Sequence, residues 1–241
     1  VGEWAHGPHQ HPTVEAHPAT GHLGPIIPGH EFSGTVVAVG EGVGSVWIGQ
    51  EVASCGSIAC GTCAACLRGQ SNQCLLYSGV GLHSHGALAE FVATPAKNCL
   101  SIDGLGISLD EAALCQPMAI AVHNVARAGD VVGQTVLVQG AGGIGAFLIY
   151  ALAEAGARVI AADMDSERLS IATDQGASKT VLVSGGPPDA DLIQAAVGES
   201  ELRAIFEVSG SASGVRSALA LAPKGCRIVL VGIQKAPIEI D

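Results

Sequence analysis

Four cysteines stand close enough in the chain to hold one metal ion. Cys60, Cys63, Cys66 and Cys74 follow the spacing C-x2-C-x2-C-x7-C. Thiolates this near to one another can wrap a zinc ion tetrahedrally. Gly61, Ala64 and Ala65 are small enough to let the loop curl around it. Four protein ligands leave no open position, so the expected zinc is structural and holds a loop with little core of its own. An iron–sulfur cluster also takes four cysteines. The bacterial ferredoxin run, however, has a much shorter last gap, usually followed by proline, whereas Cys74 is followed by Leu75. Disulfides would strain the close pairs and need an oxidising compartment. Cys55, Cys99, Cys115 and Cys226 read as small buried hydrophobes.

A second constellation points to a dinucleotide. The apolar run Val136-Leu137-Val138 leads into Gly140-Ala141-Gly142-Gly143-Ile144-Gly145, which fits G-x-G-x-x-G. Gly140 permits the tight turn, Gly142 lets the backbone approach a pyrophosphate, and Gly145 lets the following helix pack on the sheet. The N-terminus of that helix offers unpaired N–H groups and partial positive charge to the phosphates. A second strand, Arg158 to Ala162, ends in Asp163. That acid can accept from both hydroxyls of an adenosine ribose and would repel a 2′-phosphate, which favours NAD over NADP.

Composition narrows the partners. The 241 residues carry a formal net charge of −11, 33 glycines and few aromatics. No cluster of Lys and Arg supports binding to nucleic acid or an anionic membrane. No apolar run approaches the ~18 residues of a membrane span, and no secretory signal is visible. A metal-type cysteine pattern in a cofactor-binding chain is expected in a reducing cytoplasm.

The elements that must position these groups fall into two regions. Residues 1 to 28 are rich in His, Pro and Gly; His6, His9, His11, His17 and His22 are irregularly spaced and read as a solvated loop. Short strands are expected at 35–39, 48–54, 86–94 and 98–102, forming a partly barrelled β lobe. Ser108-Leu109-Asp110-Glu111 has the form of a capping box, and a helix is expected from Ala112 to Arg127, interrupted at Pro117. Beyond it strands (135–139, 158–162, 180–183, 204–208, 227–231) alternate with helices (143–155, 166–175, 189–197, 212–221). That alternation predicts an α/β domain with a parallel sheet covered on both faces. His83, His85 and His123 read as surface or packed residues.

Gly29-His30-Glu31, the four-cysteine lobe, the segment Glu111-Ala-Ala-Leu-Cys-Gln-Pro117 and the Gly140–Asp163 unit together resemble zinc-dependent medium-chain alcohol and polyol dehydrogenases, over essentially the whole chain. The HPATG run at His17 to Gly21 is similar to the long loop of the 2,3-butanediol dehydrogenase branch. The resemblance implies a GroES-like β-rich catalytic domain (1–117) followed by a doubly wound Rossmann domain (118–241). It implies NAD, a catalytic zinc besides the structural one, and an alcohol bound on that metal in the cleft between the domains. His30 corresponds to a catalytic ligand, Glu31 is a second candidate, and Gln116 stands where the polyol branch commonly has Glu near the zinc. The family's leading catalytic Cys would lie before Val1, judging by Glu3-Trp4, and the family continues beyond Asp241, so the chain reads as truncated at both ends. Arg168 falls beside the adenosine in the family; otherwise it is a solvated charge pairing with Glu167 or Asp165. Val208-Ser209-Gly210 and Val231-Gly232-Ile233 end strands at the carboxyl edge, toward the nicotinamide. The implied substrate is a small secondary alcohol or diol, with sorbitol- or threonine-type activity as the alternative, in a dimer or tetramer. A non-catalytic zinc and dinucleotide binder is the contrasting expectation, favoured by Gln116.

Overall fold

The computed structural model describes residues 15–186, 188–234 and 236–240. His6, His9, His11 and the Glu3-Trp4 pair lie outside the described residues. The chain forms two compact units, Val1–Gln116 and Pro117–Asp241.

In the first unit, β1 (Glu31–Thr35), β2 (Glu51–Cys55) and a strand at Cys99–Ser101 form an antiparallel sheet with β2 in the middle. The strand expected at 35–39 thus begins at Glu31 instead. Its partner sets the limits: Glu31 lies opposite Cys55 and Thr35 opposite Glu51. One further exchange joins Val36 to Gln50 and Gly49, at 2.9 and 2.8 Å, and a 3-10 turn at Ser45–Trp47 follows in the connection. Val37 to Val39 therefore face an apolar cavity with Phe32, Trp47 and Phe91 rather than a strand partner.

Residues 86–94 are also not a strand. The N–H groups of Gly86, Ala87 and Leu88 reach the carbonyls of Ile27, Gly29 and Pro28 at 2.7–3.0 Å. Pro25 and Pro28 have no N–H to return, so no regular ladder grows. A two-stranded ribbon of β3 (Ser57–Ile58) and β4 (Ser78–Gly79) brackets the cysteine loop, which contains the single helical turn α1 (Ala64–Leu67). The strand at Cys99–Ser101 is β5.

The capping box forms as expected. Ser108 Oγ accepts from the Glu111 N–H at 3.2 Å, and the Glu111 carboxylate accepts from the Ser108 N–H at 2.7 Å. Glu111 is held below the usual carboxylate range by those bonds. The box opens α2 (Leu109–Ala113), whose Ala112 packs on Ala53 and Ile102. The helix breaks at Leu114, not at Pro117. Pro117 sits in the first turn of α3 (Cys115–Ala128), where a missing N–H costs nothing.

The second unit is a five-stranded parallel sheet. Its strands are β6 (Thr135–Gln139), β7 (Arg158–Asp163), β8 (Lys179–Leu182), β9 (Leu202–Glu207) and β10 (Arg227–Leu230), in the order β10-β9-β6-β7-β8. The connecting helices are α4 (Gly143–Glu154), α5 (Ser166–Asp174), α6 (Pro188–Val197) and α7 (Ala212–Leu221). Both faces are buried, as a parallel sheet requires. Val136, Val138, Val159 and Phe206 pack with Leu148, Ile149 and Leu152 on one face. Leu137, Ile160 and Ile205 pack with Ile193 and Ala218 on the other. Each large side chain so buried contributes about 1.5–3 kcal/mol. The chain leaves β6 first toward β7 and β8, then returns to build β9 and β10 on its other side. That reversal opens a crevice at the carboxyl edge beside β6, the place where doubly wound sheets bind ligands. Among the described residues no helix is long and apolar enough to cross a membrane.

Candidate dinucleotide and zinc sites

The glycine turn lies at that crevice. Gly140 has φ +100°, and a Cβ there would come within 2.8 Å of the Ser209 nitrogen beyond β9. A Cβ on Gly145 would come within 2.0 Å of the Gly140 carbonyl oxygen, so α4 packs on the turn only because this position is glycine. No side chain caps α4, which leaves its first N–H groups available to an anion. The cavity in front has a volume of about 630 Å³ and is lined by Gly140, Gly142, Asp163 and Arg168 among others. Gly143 and Ile144 open α4 itself.

Asp163 has a task that its position in the sequence does not reveal. It is 8% exposed. Oδ2 accepts from the Ala141 N–H at 2.6 Å, and Oδ1 accepts from the Asp165 N–H at 2.9 Å. The acid therefore ties the glycine turn to the end of β7, and each oxygen keeps a lone pair for a ribose hydroxyl. Arg168 stands 4.0 Å from Asp163 and 3.7 Å from Asp165, with its side chain half in solvent. It is thus both a cavity-lining residue and a partner of the surface acid. Asp189 is a second loop-binding acid. It takes the N–H groups of Ser184, Gly185 and Gly186 and the Ser184 hydroxyl at 2.6–3.1 Å. Burial pushes its carboxyl up, but these donors outweigh burial and hold it below the usual range.

The four cysteines converge. Their sulfurs all lie within 4.8 Å of one another, with Cys60–Cys66 at 4.0 Å, Cys63–Cys66 at 3.5 Å and Cys63–Cys74 at 4.0 Å. A tetrahedron of Zn–S bonds near ~2.3 Å has edges of ~3.8 Å, so the donor set fits one zinc. None of the cysteines is disulfide-bonded. The N–H groups of Thr62 and then Cys63 lower Cys60 to about 6, whereas burial, reinforced by the neighbouring thiols, raises Cys66 to about 12. Thiols this close cannot all ionise without a cation to share. The i, i+3 spacing across α1 turns Cys63 and Cys66 toward the same point.

His30 and Glu31 are neighbours at the entry to β1, Nε2 to Oε1 4.0 Å, the histidine less exposed than the acid. Among the described residues, the cysteines are the one group of three or more His, Cys, Asp or Glu side chains arranged for a metal. Gln116, in the first turn of α3, has a buried Oε1 with no hydrogen-bond partner. Cys115 is exposed, which corrects the expectation that it is buried. Cys55 is exposed too, because it ends β2 one residue beyond the last β5 pairing, Ser54 with Cys99. Cys99 and Cys226 are only partly buried.

Two features escaped the sequence reading. His17 is buried and its ring lies 4.4 Å from that of His83, while His22 and His85 meet at 4.8 Å, so the segment after residue 15 is fastened to 79–86 rather than solvated. Glu207, at the end of β9, is fully buried and ringed by donors. The one available signal was an acid closing an apolar run just before Ser209-Gly210, the pattern that drew attention to Asp163.

Comparison with known proteins agrees with this geometry. Residues 10–104 match the alcohol dehydrogenase GroES-like domain, and residues 143–241 match the zinc-binding dehydrogenase family. L-Threonine 3-dehydrogenase of Pectobacterium atrosepticum is 35% identical over 218 residues, covering 90% of this chain and 60% of that protein. The chain thus spans less than two thirds of that relative's length. The 2R,3R-butanediol dehydrogenase of Bacillus subtilis superposes with a TM-score of 0.85 at 30% identity, covering 98% of this chain and 67% of that one. An Escherichia coli alcohol dehydrogenase solved with NADH superposes with a TM-score of 0.83 at 32% identity, covering 90% and 64%. With its GroES-like lobe, four-cysteine cluster and Rossmann sheet, the chain belongs to the zinc-dependent medium-chain alcohol dehydrogenase family.

Proposed function

We propose that this protein oxidises a small secondary alcohol with NAD as hydride acceptor. The observation that carries the reading is the glycine turn, with uncapped α4 N–H groups on one side and Asp163 on the other, at the mouth of a cavity. The N–H groups of α4 bind the pyrophosphate, and Asp163 accepts from the adenosine ribose and disfavours a 2′-phosphate. NAD held there would supply the hydride acceptor, and oxidation of a secondary alcohol would give a ketone, NADH and a proton.

His30 and Glu31 offer two of the three protein ligands that a catalytic zinc takes. A zinc held there would supply Lewis acidity to the substrate hydroxyl. The unpartnered Oε1 of Gln116 offers an acceptor that a hydroxyl group can satisfy. The cysteine cluster holds its loop through a closed, structural zinc. Relatives named L-threonine 3-dehydrogenase make L-threonine the first substrate to test, and the butanediol dehydrogenase structure makes 2,3-butanediol the second.

The test is NADH formation by the zinc-loaded full-length protein with L-threonine, 2,3-butanediol and sorbitol. Turnover on any of them supports the proposal. Intact NADH binding with no turnover across a broad alcohol panel sinks it in favour of the second reading, a zinc and dinucleotide binder without catalysis. Gln116 favours that reading, because a neutral amide is a poorer zinc ligand than a carboxylate. In the full-length protein, two zincs per chain by metal analysis support the enzyme, and one supports the binder.

A further inference from the structure

We infer that Glu207 is a positioning residue that fixes the nicotinamide side of the crevice by holding the loops after β9 and β10 together; this rests on the dinucleotide reading above. Its side chain is completely buried, and no basic side chain pairs with it among the described residues. Oε1 accepts the Ser209 N–H at 3.0 Å and the Ser209 hydroxyl. Oε2 accepts the Gly210 N–H at 3.3 Å and the Gln234 side-chain amide at 3.3 Å. The Glu207 carbonyl accepts from Val231 and Gly232 at 2.8 and 2.9 Å. One residue thus gathers donors from two loops that are otherwise separate in the chain.

The space around it is built to fit. A Cβ on Gly214 would lie 2.6 Å from Oε1, and one on Gly232 would lie 2.9 Å from Oε2 and 2.2 Å from the Gly210 nitrogen. A buried carboxylate is expensive compared with an apolar side chain of similar size. Packing alone therefore does not account for an acid here, whereas fixing several donors does. The acid also orders a chain of hydroxyls. Because Ser209 gives its proton to Glu207, its oxygen must accept from Ser211 at 2.9 Å. Ser211 in turn caps α7 through the Gly214 N–H at 2.9 Å.

These loops face the crevice on the side opposite Asp163. The sheet order puts β7 on one flank of β6 and β9 on the other. A dinucleotide with its pyrophosphate on the glycine turn and its adenosine at Asp163 must lay its other half toward Ser209 and Ser211. Gly140 already touches that loop through the close approach to Ser209.

The experiment is calorimetric titration of the full chain with NADH and, separately, with ADP, for wild type, Glu207→Gln and Gly214→Ala. Glu207→Gln keeps the shape but puts an NH2 group against donors. Gly214→Ala retains the acid but pushes its carboxylate aside. Both variants are expected to bind NADH about tenfold more weakly or worse, the loss that follows from unmatched donors around a buried group, while ADP affinity stays within about twofold and zinc content is unchanged. NADH binding equal to wild type in both variants overturns the inference, as does an equal loss for NADH and ADP, which would mark a merely structural role. A wild-type protein that binds neither ligand overturns the dinucleotide reading itself, and this inference with it.

Discussion

Replacing Asp163 separates its two tasks. In the cofactor-free protein it accepts from the nearly buried Ala141 N–H and from the more exposed Asp165 N–H. Asn keeps one oxygen, which turns to Ala141, where an unmatched donor costs most; the Asp165 N–H then loses its acceptor. That costs about 1 kcal/mol, the low end for a donor with some access to water. Ala leaves both donors unmatched, one of them buried, for about 3 kcal/mol. At about 4 °C per kcal/mol for a domain of this size, Asp163→Asn should lower the melting temperature of the second unit by ~4 °C and Asp163→Ala by ~12 °C. The assay is thermal unfolding without cofactor, followed by circular dichroism. A residue that served only the ribose would leave both melts unchanged. If Asp163→Ala melts within about 2 °C of wild type, the fastening role read from its bonds is wrong.

Other perturbations test other parts. Gly145→Ala places a carbon within 2.0 Å of the Gly140 carbonyl oxygen, so α4 must shift; a loss of about 1–3 kcal/mol and a large drop in NADH affinity are expected, measured by denaturant unfolding and titration. Stripping metal with a strong chelator should release zinc and expose four thiols to a thiol reagent, with the first unit melting earlier while ADP binding persists. Lowering pH should favour that release, because the thiolates must be reprotonated. Asp189 has a lowered folded pKa, so its stabilising contribution is complete above the ordinary Asp value and is lost as pH falls through the folded one. Acid unfolding curves of wild type and Asp189→Asn should therefore differ at neutral pH and converge as the pH falls through the lowered folded value.

The second unit was readable because its strands are buried on both faces. Such strands appear as unbroken runs like Val136-Leu137-Val138 and Val159-Ile160-Ala161, stopped by glycines. The first unit lacks that signal. Its strands are two to five residues long, and their limits come from distant partners, as when β2 draws the start of β1 back to Glu31. The cysteine cluster was legible because four ligands lie within one short loop. The remaining cysteines were misjudged at Cys55 and Cys115, since exposure there depends on where a strand or helix ends rather than on residue type. The ties made by Asp163, Asp189 and Glu207 are bonds from side chain to loop backbone, and residue type alone does not say which loop an acid will face.

The central position of β6 has a consequence for how the protein is made. β6 needs β7 on one edge and β9 on the other, yet roughly sixty residues separate Gln139 from Leu202. At ribosomal speeds of ~5–20 residues per second, one edge of this strand, every residue of which is buried in the folded protein, waits several seconds for its partner. During that interval the glycine turn also lacks the neighbouring loop at Ser209 that Gly140 packs against. The nascent chain therefore passes through a state with a sticky open edge and no cofactor to stabilise it, and chaperone capture in that window would protect the strand on which the whole nucleotide site depends.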